Sequence, residues 1–183
     1  AVQILLDIAH EQSLQQVLWG ALDGTGFRTS AEAVLRAHPE IARIEWRDEN
    51  FVQISRVQSP LHPNLFGTIG RAAMVIDAQA ACISASRFEA PALSRSYFAP
   101  TQGGLGTEVV DLCVPHVEEG RRLGSLVATL VLSDVLGQAV APEVQRQHEV
   151  LLVEADGTRL ARAGSSRGRG AFRAERLVDF EGF

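Results

Sequence analysis

The sequence predicts an α+β domain with a five-stranded antiparallel sheet, a long helix across one face and shorter elements across the other. The predicted elements run helix, helix, two strands, helix and three strands, which is not the βαβ alternation of a parallel sheet. Residues 108–132 carry two β-branched apolar runs joined by a short turn between Gly120 and Gly124, so they should form an antiparallel hairpin. Because both runs are almost continuously apolar, we expect this hairpin to be covered on both faces.

The N-terminal part of the chain carries two helical patterns. Apolar residues recur at helical spacing over residues 1–22, and Gly24 and Gly26 end the pattern. This first helix offers more apolar surface than a single contact would cover, which favours a dimer seam along it. A second helix is predicted to begin at a cap formed by Thr29 and Ser30 and to end before a proline.

Two strands and a long helix come next. Strands are predicted over 41–47 and 51–57, on either side of an acidic turn. In the first of them, alternation places Ile44 and Trp46 on one face and charged side chains on the other. A helix is predicted over 71–88. Its apolar stripe comprises Ala73, Ile76, Ala80 and Ile83.

Alternation along the central hairpin leaves one question open. Asp111 points to one face of its strand, and Thr129 points to one face of the next strand. The pairing register decides whether the two polar groups share a face. Polar groups inside a covered hairpin need hydrogen-bond partners, and a bound ligand can supply them.

The last part of the chain begins with a helix from Ser133 to about residue 147, kinked or restarted at Pro142. Residues 149–164 then have the pattern of a strand, an Asp-Gly turn and a second strand. The strands that follow this helix are too few to bury a core alone. A unit that begins at His148 is therefore truncated or rests on the preceding one.

These patterns divide the chain into three parts. We expect a stem helix over 1–28, a main module with a linker helix over 29–147, and the start of a second, incomplete or small module over 148–183. Because the chain begins at Ala1 and not at Met, we also expect it to be a piece of a longer protein. No segment reaches the ~18–20 apolar residues of a membrane span.

Charge and composition exclude several classes of function. The 183-residue chain is 46% hydrophobic, which supports a real core, and its net charge of −5 argues against non-specific binding to nucleic acid. All 17 basic residues are arginine, so no lysine is present for a P-loop, a Schiff base or a kinase site. The five histidines lack the close pairs of a metal site. We therefore expect neither a metal nor a cofactor.

The two cysteines, Cys82 and Cys113, are far apart in the sequence and form no CxxC motif. They could form one disulfide, or they could remain two small buried apolar side chains. The sequence favours the second arrangement.

The sequence shows no convincing catalytic constellation. The glycine-rich segment 103–106 is followed by a strand and not by the helix that a nucleotide-binding loop requires. Asp111 and His116 differ in parity along one strand, so they should face opposite sides and cannot form a triad. We therefore expect no enzymatic activity in this chain.

Residues 94–98 are the best candidate for a binding segment. Arg95 and Tyr97 have i, i+2 spacing, which places both side chains on one face of an extended segment. A guanidinium fork beside a phenol hydroxyl suits a ligand carboxylate. The alternative is a surface arginine with Tyr97 in the core. Trp46 is a further candidate, either as a wall of the ligand site or as a core residue.

Four segments carry a resemblance to a known family. They are HPEIARIEWRDEN (38–50), SRSYFAP (94–100), VVDLCVPHVEEGRRLGSLVATLVL (109–132) and HEVLLVEADGTRLA (148–161). In element order the chain resembles the extracytoplasmic double-Cache (PDC, PAS-like) sensor domains of bacterial histidine kinases, chemoreceptors and cyclases, with the C4-dicarboxylate sensor kinases as the nearest type. The resemblance implies a periplasmic PAS-like (Cache) module on a stem helix, in a protein anchored in the inner membrane.

The same resemblance implies roles for individual residues. Residues 95–98 look like the R-x-[WY]-[YF] segment that binds a ligand carboxylate in amino-acid-sensing members. Thr129 stands where those members carry an ammonium-binding aspartate, which favours a carboxylate or a neutral small molecule over an α-amino acid. The candidate ligand-binding residues are Arg95, Tyr97, Asp111, Thr129 and Trp46.

The leading hypothesis is therefore a periplasmic ligand-sensing domain of a transmembrane receptor, with a histidine kinase as the favoured output. It would bind a small organic acid, form a homodimer through the stem helix and transmit the signal by helix movement. One alternative is a structural or dimerisation domain without a ligand. Others are the input domain of a chemoreceptor or cyclase, and a small cytoplasmic enzyme.

Overall fold

The computed structural model describes residues 26–66, 71–101, 106–165 and 173–176. The predicted stem helix over 1–22 and the dimer contact assigned to it lie outside the described residues. The division of the chain into three parts stays a prediction.

Four helices and eight strands follow one another in the described ranges. Two of them, β1 and α2, coincide with the strand and the long helix that the sequence predicts. In chain order the elements are α1 (Phe27–Ala37), β1 (Ile41–Arg47), β2 (Gln53–Gln58), α2 (Arg71–Phe88), β3 (Ala92–Leu93), β4 (Tyr97–Pro100), β5 (Gly106–Glu118), β6 (Arg121–Val131), α3 (Leu132–Ala139), α4 (Pro142–Gln147), β7 (Glu149–Val153) and β8 (Arg159–Gly164).

The main sheet is antiparallel and has the strand order β2-β1-β6-β5, with β3 and β4 both paired to the outer side of β5. The two short strands occupy one position, so six strands fill five places in the sheet. The long β5–β6 hairpin forms its centre, as the apolar runs predict. The predicted α+β class with an antiparallel sheet is thus confirmed.

The sheet separates two sets of packed side chains. On one face, the main core lies between the sheet and α1, α3 and the β7–β8 hairpin. On the other face, α2 and the segment that ends at Phe66 cover two smaller apolar clusters. All seven residues of β1 are buried, so both its apolar and its charged side are covered.

The helix boundaries correct two predicted caps. Gly26 accepts a backbone hydrogen bond from Ser30 at 3.0 Å, so Thr29 and Ser30 lie within the first turn of α1 and do not precede it. Ser133 likewise lies inside α3. The restart at Pro142 is confirmed, because α4 begins there after a two-residue break, where a proline is best tolerated in a helix.

Helix α2 turns a different face to the sheet from the one that the sequence predicts. Ile76 and Ile83 are 66% and 51% exposed, whereas the buried face carries small side chains. The physical reason is a disulfide between Cys82 and Cys113, whose Cα atoms are 5.2 Å apart. Only small residues fit between a helix and a strand held that closely. The expectation of two unbonded cysteines is therefore wrong. The buried face comprises Ala78, Ala81, Cys82 and Ala85.

The β7–β8 hairpin does not stand alone. Ala161 and Ala163 of β8 belong to the main core, and the hairpin packs against α3. Of the two outcomes that the sequence left open for this segment, the structure shows the hairpin resting on the preceding part of the chain. None of the helices in the described ranges is long and apolar enough to cross a membrane.

Candidate functional site

A row of polar side chains crosses the α2-covered face of the sheet. We call Arg43, Thr129, Asp111 and Tyr97 the polar row. Arg43 of β1 lies opposite Thr129 of β6, and Thr129 lies opposite Asp111 of β5. Tyr97 enters from β4, where it pairs with the residue two positions before Asp111. The register thus answers the question that the sequence left open, because Asp111 and Thr129 share one face.

Asp111 is the centre of the row and is completely buried. Thr129 donates its hydroxyl proton to Oδ1 of Asp111 at 2.5 Å, and the hydroxyl of Tyr97 donates to Oδ2 at 3.0 Å. Each carboxylate oxygen therefore has a side-chain donor, which is the condition under which a buried carboxylate is tolerated.

The backbone of Asp111 is fixed as firmly as its side chain. Its amide donates to Oγ of Ser94 at 2.9 Å, and its carbonyl accepts from the amide of Ser94 at 2.8 Å. Ser94 lies in the short gap between β3 and β4. Its hydroxyl therefore accepts the hydrogen bond from the amide of Asp111 that a carbonyl of a continuous strand would accept. The carboxylate is thereby held in place on the sheet.

Burial controls the proton equilibria of the row. Desolvation raises the pKa of Asp111 above its ordinary value, although hydrogen bonds from Thr129 and Tyr97 and the charge of Arg43 act against it. Burial also raises the pKa of Tyr97, and the neighbouring carboxylate of Asp111 raises it further. The phenol therefore remains protonated and acts as a donor throughout the physiological range.

Arg43 closes the row on the side of β1. Its guanidinium carbon lies 3.9 Å above the ring of Phe66, and its Nη2 lies 3.5 Å from Oγ1 of Thr129, the limit of a hydrogen bond. Its Nε is 3.0 Å from Oε1 of Glu45 but makes no directed hydrogen bond with any described residue. The guanidinium is thus positioned by stacking on Phe66 and by the charge of Glu45, and its Nε–H remains available as a hydrogen-bond donor.

The charged side of β1 continues beyond the row. Glu45 accepts two hydrogen bonds from Arg47 on Oε2, at 2.7 and 3.1 Å, and forms the ion pair with Arg43 on Oε1. With Asp111 ionised, the two arginines and two carboxylates balance in charge, which lowers the cost of burying them. Ser125, on the same face beside Arg47, has a buried hydroxyl for which the described residues offer no hydrogen-bond partner.

The structure brings together three of the five candidate residues from the sequence. Tyr97, Asp111 and Thr129 are in contact, whereas Arg95 is exposed in the segment between β3 and β4. Among the described residues, no hydrogen bond or ion pair joins Arg95 to the row. The predicted fork of Arg95 and Tyr97 on one face is therefore not formed here, and the ligand-binding role of Arg95 stays a prediction.

Trp46 lies on the opposite face of the sheet and is part of the main core. Its ring packs over Gly124 of β6, where an added Cβ would come within 2.7 Å of the indole, and its centroid is 5.9 Å from that of the His116 ring. Of the two interpretations offered for Trp46, the core residue agrees with this position. It does not line the polar row.

Sequence reasoning missed Arg43, and it gave Ser94 no role of its own within the candidate segment 94–98. The alternation of β1 was visible, but charged side chains on alternate positions ordinarily indicate a solvated face, and here that face is covered. Ser94 belongs to the candidate segment 94–98, but its hydrogen bonds to the backbone of Asp111 depend on the pairing of segments that are distant in the sequence. The described ranges contain no group of three acidic, histidine or cysteine side chains arranged to hold a metal ion.

Comparison with known proteins yields matches only among solved structures. No family of known sequences and no curated protein matches the chain. The extracellular domain of vpHK1S-Z8, a protein assigned as a histidine kinase, is 15% identical with a TM-score of 0.48, and the match covers 78% of this chain and 55% of that one. The ligand-binding domain of the Pseudomonas fluorescens chemoreceptor CtaA, in complex with L-isoleucine, is 16% identical with a TM-score of 0.48, covering 84% and 58%.

A third neighbour is a domain of a Vibrio parahaemolyticus protein assigned to the sensory box/GGDEF family. It is 15% identical with a TM-score of 0.46, and the match covers 87% of this chain and 62% of that one. The chain therefore spans less than two thirds of the length of each of these solved structures. These neighbours are sensory proteins or parts of them, and at this level of similarity they assign neither a family nor a ligand to this chain.

Proposed function

We propose that this chain is an extracytoplasmic ligand-sensing domain of a transmembrane receptor, and that the polar row is its ligand site. The observation that carries the proposal is the convergence of a carboxylate, two hydroxyls and a guanidinium on one covered face of the sheet. Apolar side chains would fill this position at lower cost. Buried polar groups that are retained despite this cost often serve binding.

A small organic acid is the ligand class that the row suits best. Asp111 already accepts a hydrogen bond on each carboxylate oxygen, whereas Arg43 keeps unused donor capacity beside an aromatic ring. The group left to recognise is therefore an acceptor, which a ligand carboxylate or a neutral carbonyl provides. An α-amino acid is less suited, because its ammonium group would have to displace the hydroxyls from Asp111.

The disulfide supports a location outside the cytoplasm. Cys82 and Cys113 are fully buried and bonded, and structural disulfides of this kind persist in oxidising compartments such as the periplasm. The proposal accordingly places this domain on the periplasmic side of an inner membrane, with a histidine kinase as its favoured output. A chemoreceptor or a cyclase would use the same input. We assign no catalytic step to the domain.

A second function, a structural spacer without a ligand, is favoured by one observation. Asp111, Thr129 and Tyr97 satisfy one another, so the row needs no ligand to be stable. In that case the row would fix the packing of the strands, and the domain would only hold a receptor at a distance from the membrane.

A thermal-shift screen against small carboxylates and their neutral amides separates the two functions. A ligand present at 100 Kd stabilises its protein by about 2.7 kcal/mol, and the best hit should then be measured by calorimetry. If no compound stabilises the chain at millimolar concentration, the spacer function is supported and the sensor proposal fails.

Three variants test the site once a ligand is found. Arg43→Gln should weaken binding about ten- to a hundredfold, because it removes a charge-assisted pair worth about 1.5–3 kcal/mol. Arg159→Gln, the same substitution at an exposed position of the β7–β8 hairpin, is the matched control and should leave binding unchanged. Arg95→Ala tests the prediction from the sequence. If Arg95→Ala weakens ligand binding and Arg43→Gln does not, the ligand binds at Arg95 and not at the polar row.

A further inference from the structure

The outer edge of β2 pairs with no other strand among the described residues. β2 is the terminal strand of the main sheet and pairs only with β1. Natural proteins usually protect such edges with lysine, proline or a covering segment, because unpaired backbone groups attract another strand. β2 contains no proline, and Arg56 is its one charged residue. Ile54 within it and Val52 just before it are 61% and 57% exposed, so this edge also presents apolar side chains.

The backbone of β2 offers hydrogen bonds in the outward direction. The amide of Ser59 donates to the carbonyl of Ala42 in β1 at 2.8 Å. The backbone groups of Ser59, and of every second residue before it in β2, therefore point toward β1. Because these positions alternate in an antiparallel pair, the backbone groups of Arg56 and Gln58 point away from β1. Within the described ranges, no backbone hydrogen bond joins these outward groups to another segment.

A groove runs beside this edge, between β2 and α1. Its volume is about 470 Å³, and the buried side chains of Leu35 and Val57 form its apolar floor. Its charged lining residues are Arg28, Glu32 and Arg36 of α1 and Arg56 of β2, and Gln58 and Pro60 complete the lining. Because Arg56 and Val57 are consecutive in a strand, the side chain of Arg56 leaves β2 on the face opposite to Val57. None of the four charged residues forms an ion pair with a described residue, so among the described residues three guanidinium groups stand against one carboxylate at this edge.

We propose that this groove binds an extended acidic segment of a partner protein, which adds to β2 as a further strand. Strand addition of this kind takes its affinity from main-chain hydrogen bonds and its specificity from alternate side chains in an adjoining groove. The acidic side chains of such a segment would pair with Arg28 and Arg36 on the groove side of the sheet, and its alternate apolar side chains would lie beside the exposed Ile54 on the other side. A second copy of this chain is a poorer occupant, because it would bring the arginines of its own edge toward the arginines of this one.

The proposal is tested with synthetic peptides of about six residues, the usual length of a strand. One labelled peptide alternates Glu with Val, and its partner alternates Lys with Val. In fluorescence anisotropy at low salt, the Glu–Val peptide should bind at least about tenfold more tightly than the Lys–Val peptide. Added salt should weaken its binding, because exposed charges are screened.

Two kinds of variant locate the site. Arg28→Glu combined with Arg36→Glu should reduce binding of the Glu–Val peptide at least about tenfold, whereas Arg159→Glu, on the β7–β8 hairpin, should not change it. Arg56→Pro removes one outward amide from the edge, where proline is tolerated, and should also abolish strand addition. Circular dichroism verifies that each variant is folded.

Three results would overturn the proposal. The first is equal binding of the two peptides, and the second is unchanged binding of the Glu–Val peptide to a folded Arg28→Glu, Arg36→Glu variant. The third is concentration-dependent self-association that Arg56→Pro abolishes, which would assign the edge to a second copy of the chain.

Discussion

Replacement of Thr129 by valine is the sharpest test of the polar row. Valine has nearly the same shape as threonine but lacks the hydroxyl that donates to Oδ1 of Asp111 at 2.5 Å. Because Asp111 is completely buried, water cannot replace the lost donor. A hydrogen bond to a charged group is worth about 1.5–3 kcal/mol, so we expect Thr129→Val to lower the free energy of unfolding by about 2 kcal/mol at pH 7.

The effect should also depend on pH in a defined direction. Burial raises the pKa of Asp111 in the folded protein, so ionisation of this carboxyl lowers the free energy of unfolding. That loss develops as the pH rises from about 3.9, the pKa of an aspartate in the unfolded chain, toward the higher pKa in the folded protein. The Thr129 hydroxyl acts against this cost because it stabilises the carboxylate. The difference between wild type and Thr129→Val should therefore be larger at pH 7 than at pH 4.

Urea denaturation at both pH values measures these differences. Thr29→Val, at an exposed position of α1, is the matched control and should stay within about 0.5 kcal/mol of wild type. Combining Thr129→Val with Tyr97→Phe should be non-additive by about 0.5 kcal/mol or more, because both hydroxyls serve one carboxylate. If Thr129→Val is as stable as wild type at pH 7, Asp111 does not depend on this donor and our account of the row is wrong.

Three further predictions concern the framework around the site. Gly124→Ala should destabilise the fold by more than about 2 kcal/mol in urea denaturation, because its Cβ would come within 2.7 Å of the Trp46 ring and still closer to a backbone carbonyl of β1. Removing the disulfide by Cys82→Ala with Cys113→Ala should cost about 3–4 kcal/mol for a loop of this length, seen as a lower Tm in the variant and in reduced wild type. Burial acts to raise the pKa of Glu40, but the hydrogen bonds that its carboxylate accepts, among them those from His38 and Gln138, together have the larger effect, so its pKa is lowered. Its contribution to stability is therefore present above pH 4.5 and lost below it, so wild type should lose more stability than Glu40→Gln between pH 7 and pH 3.

The centre of the fold could be predicted because its signals are local. The β5–β6 hairpin combines β-branched runs with a short glycine-flanked turn, and both observed strands fall within a few residues of the predicted ones. The alternation of side chains along each strand could also be predicted for Asp111 and Thr129. Whether they share a face depends on the exact pairing across the turn, including the irregularity between His116 and Val117, and single-residue shifts of this kind are not encoded in an apolar pattern.

The site was only partly predictable, because its missing members depend on contacts between distant segments. Arg43 belongs to the row only because Phe66 covers it, and the sequence of β1 does not indicate this contact. The pairing of Cys82 with Cys113 is equally non-local. Because that bond holds α2 close to β5, the buried face of the helix carries small residues. Ile76 and Ile83, which the apolar pattern placed on the buried stripe, are exposed instead.

The disulfide has a consequence for how this face of the domain can move. It joins α2 to the central strand two residues from Asp111, so the helix and the strand must shift as one body. Any opening above the polar row therefore has to occur in the connections on either side of that body, within residues 59–66 and 94–101. Hydrogen exchange should show these two connections opening far more often than α2 itself. An applied ligand would then change protection there first, and a hinge sought within α2 would not be found.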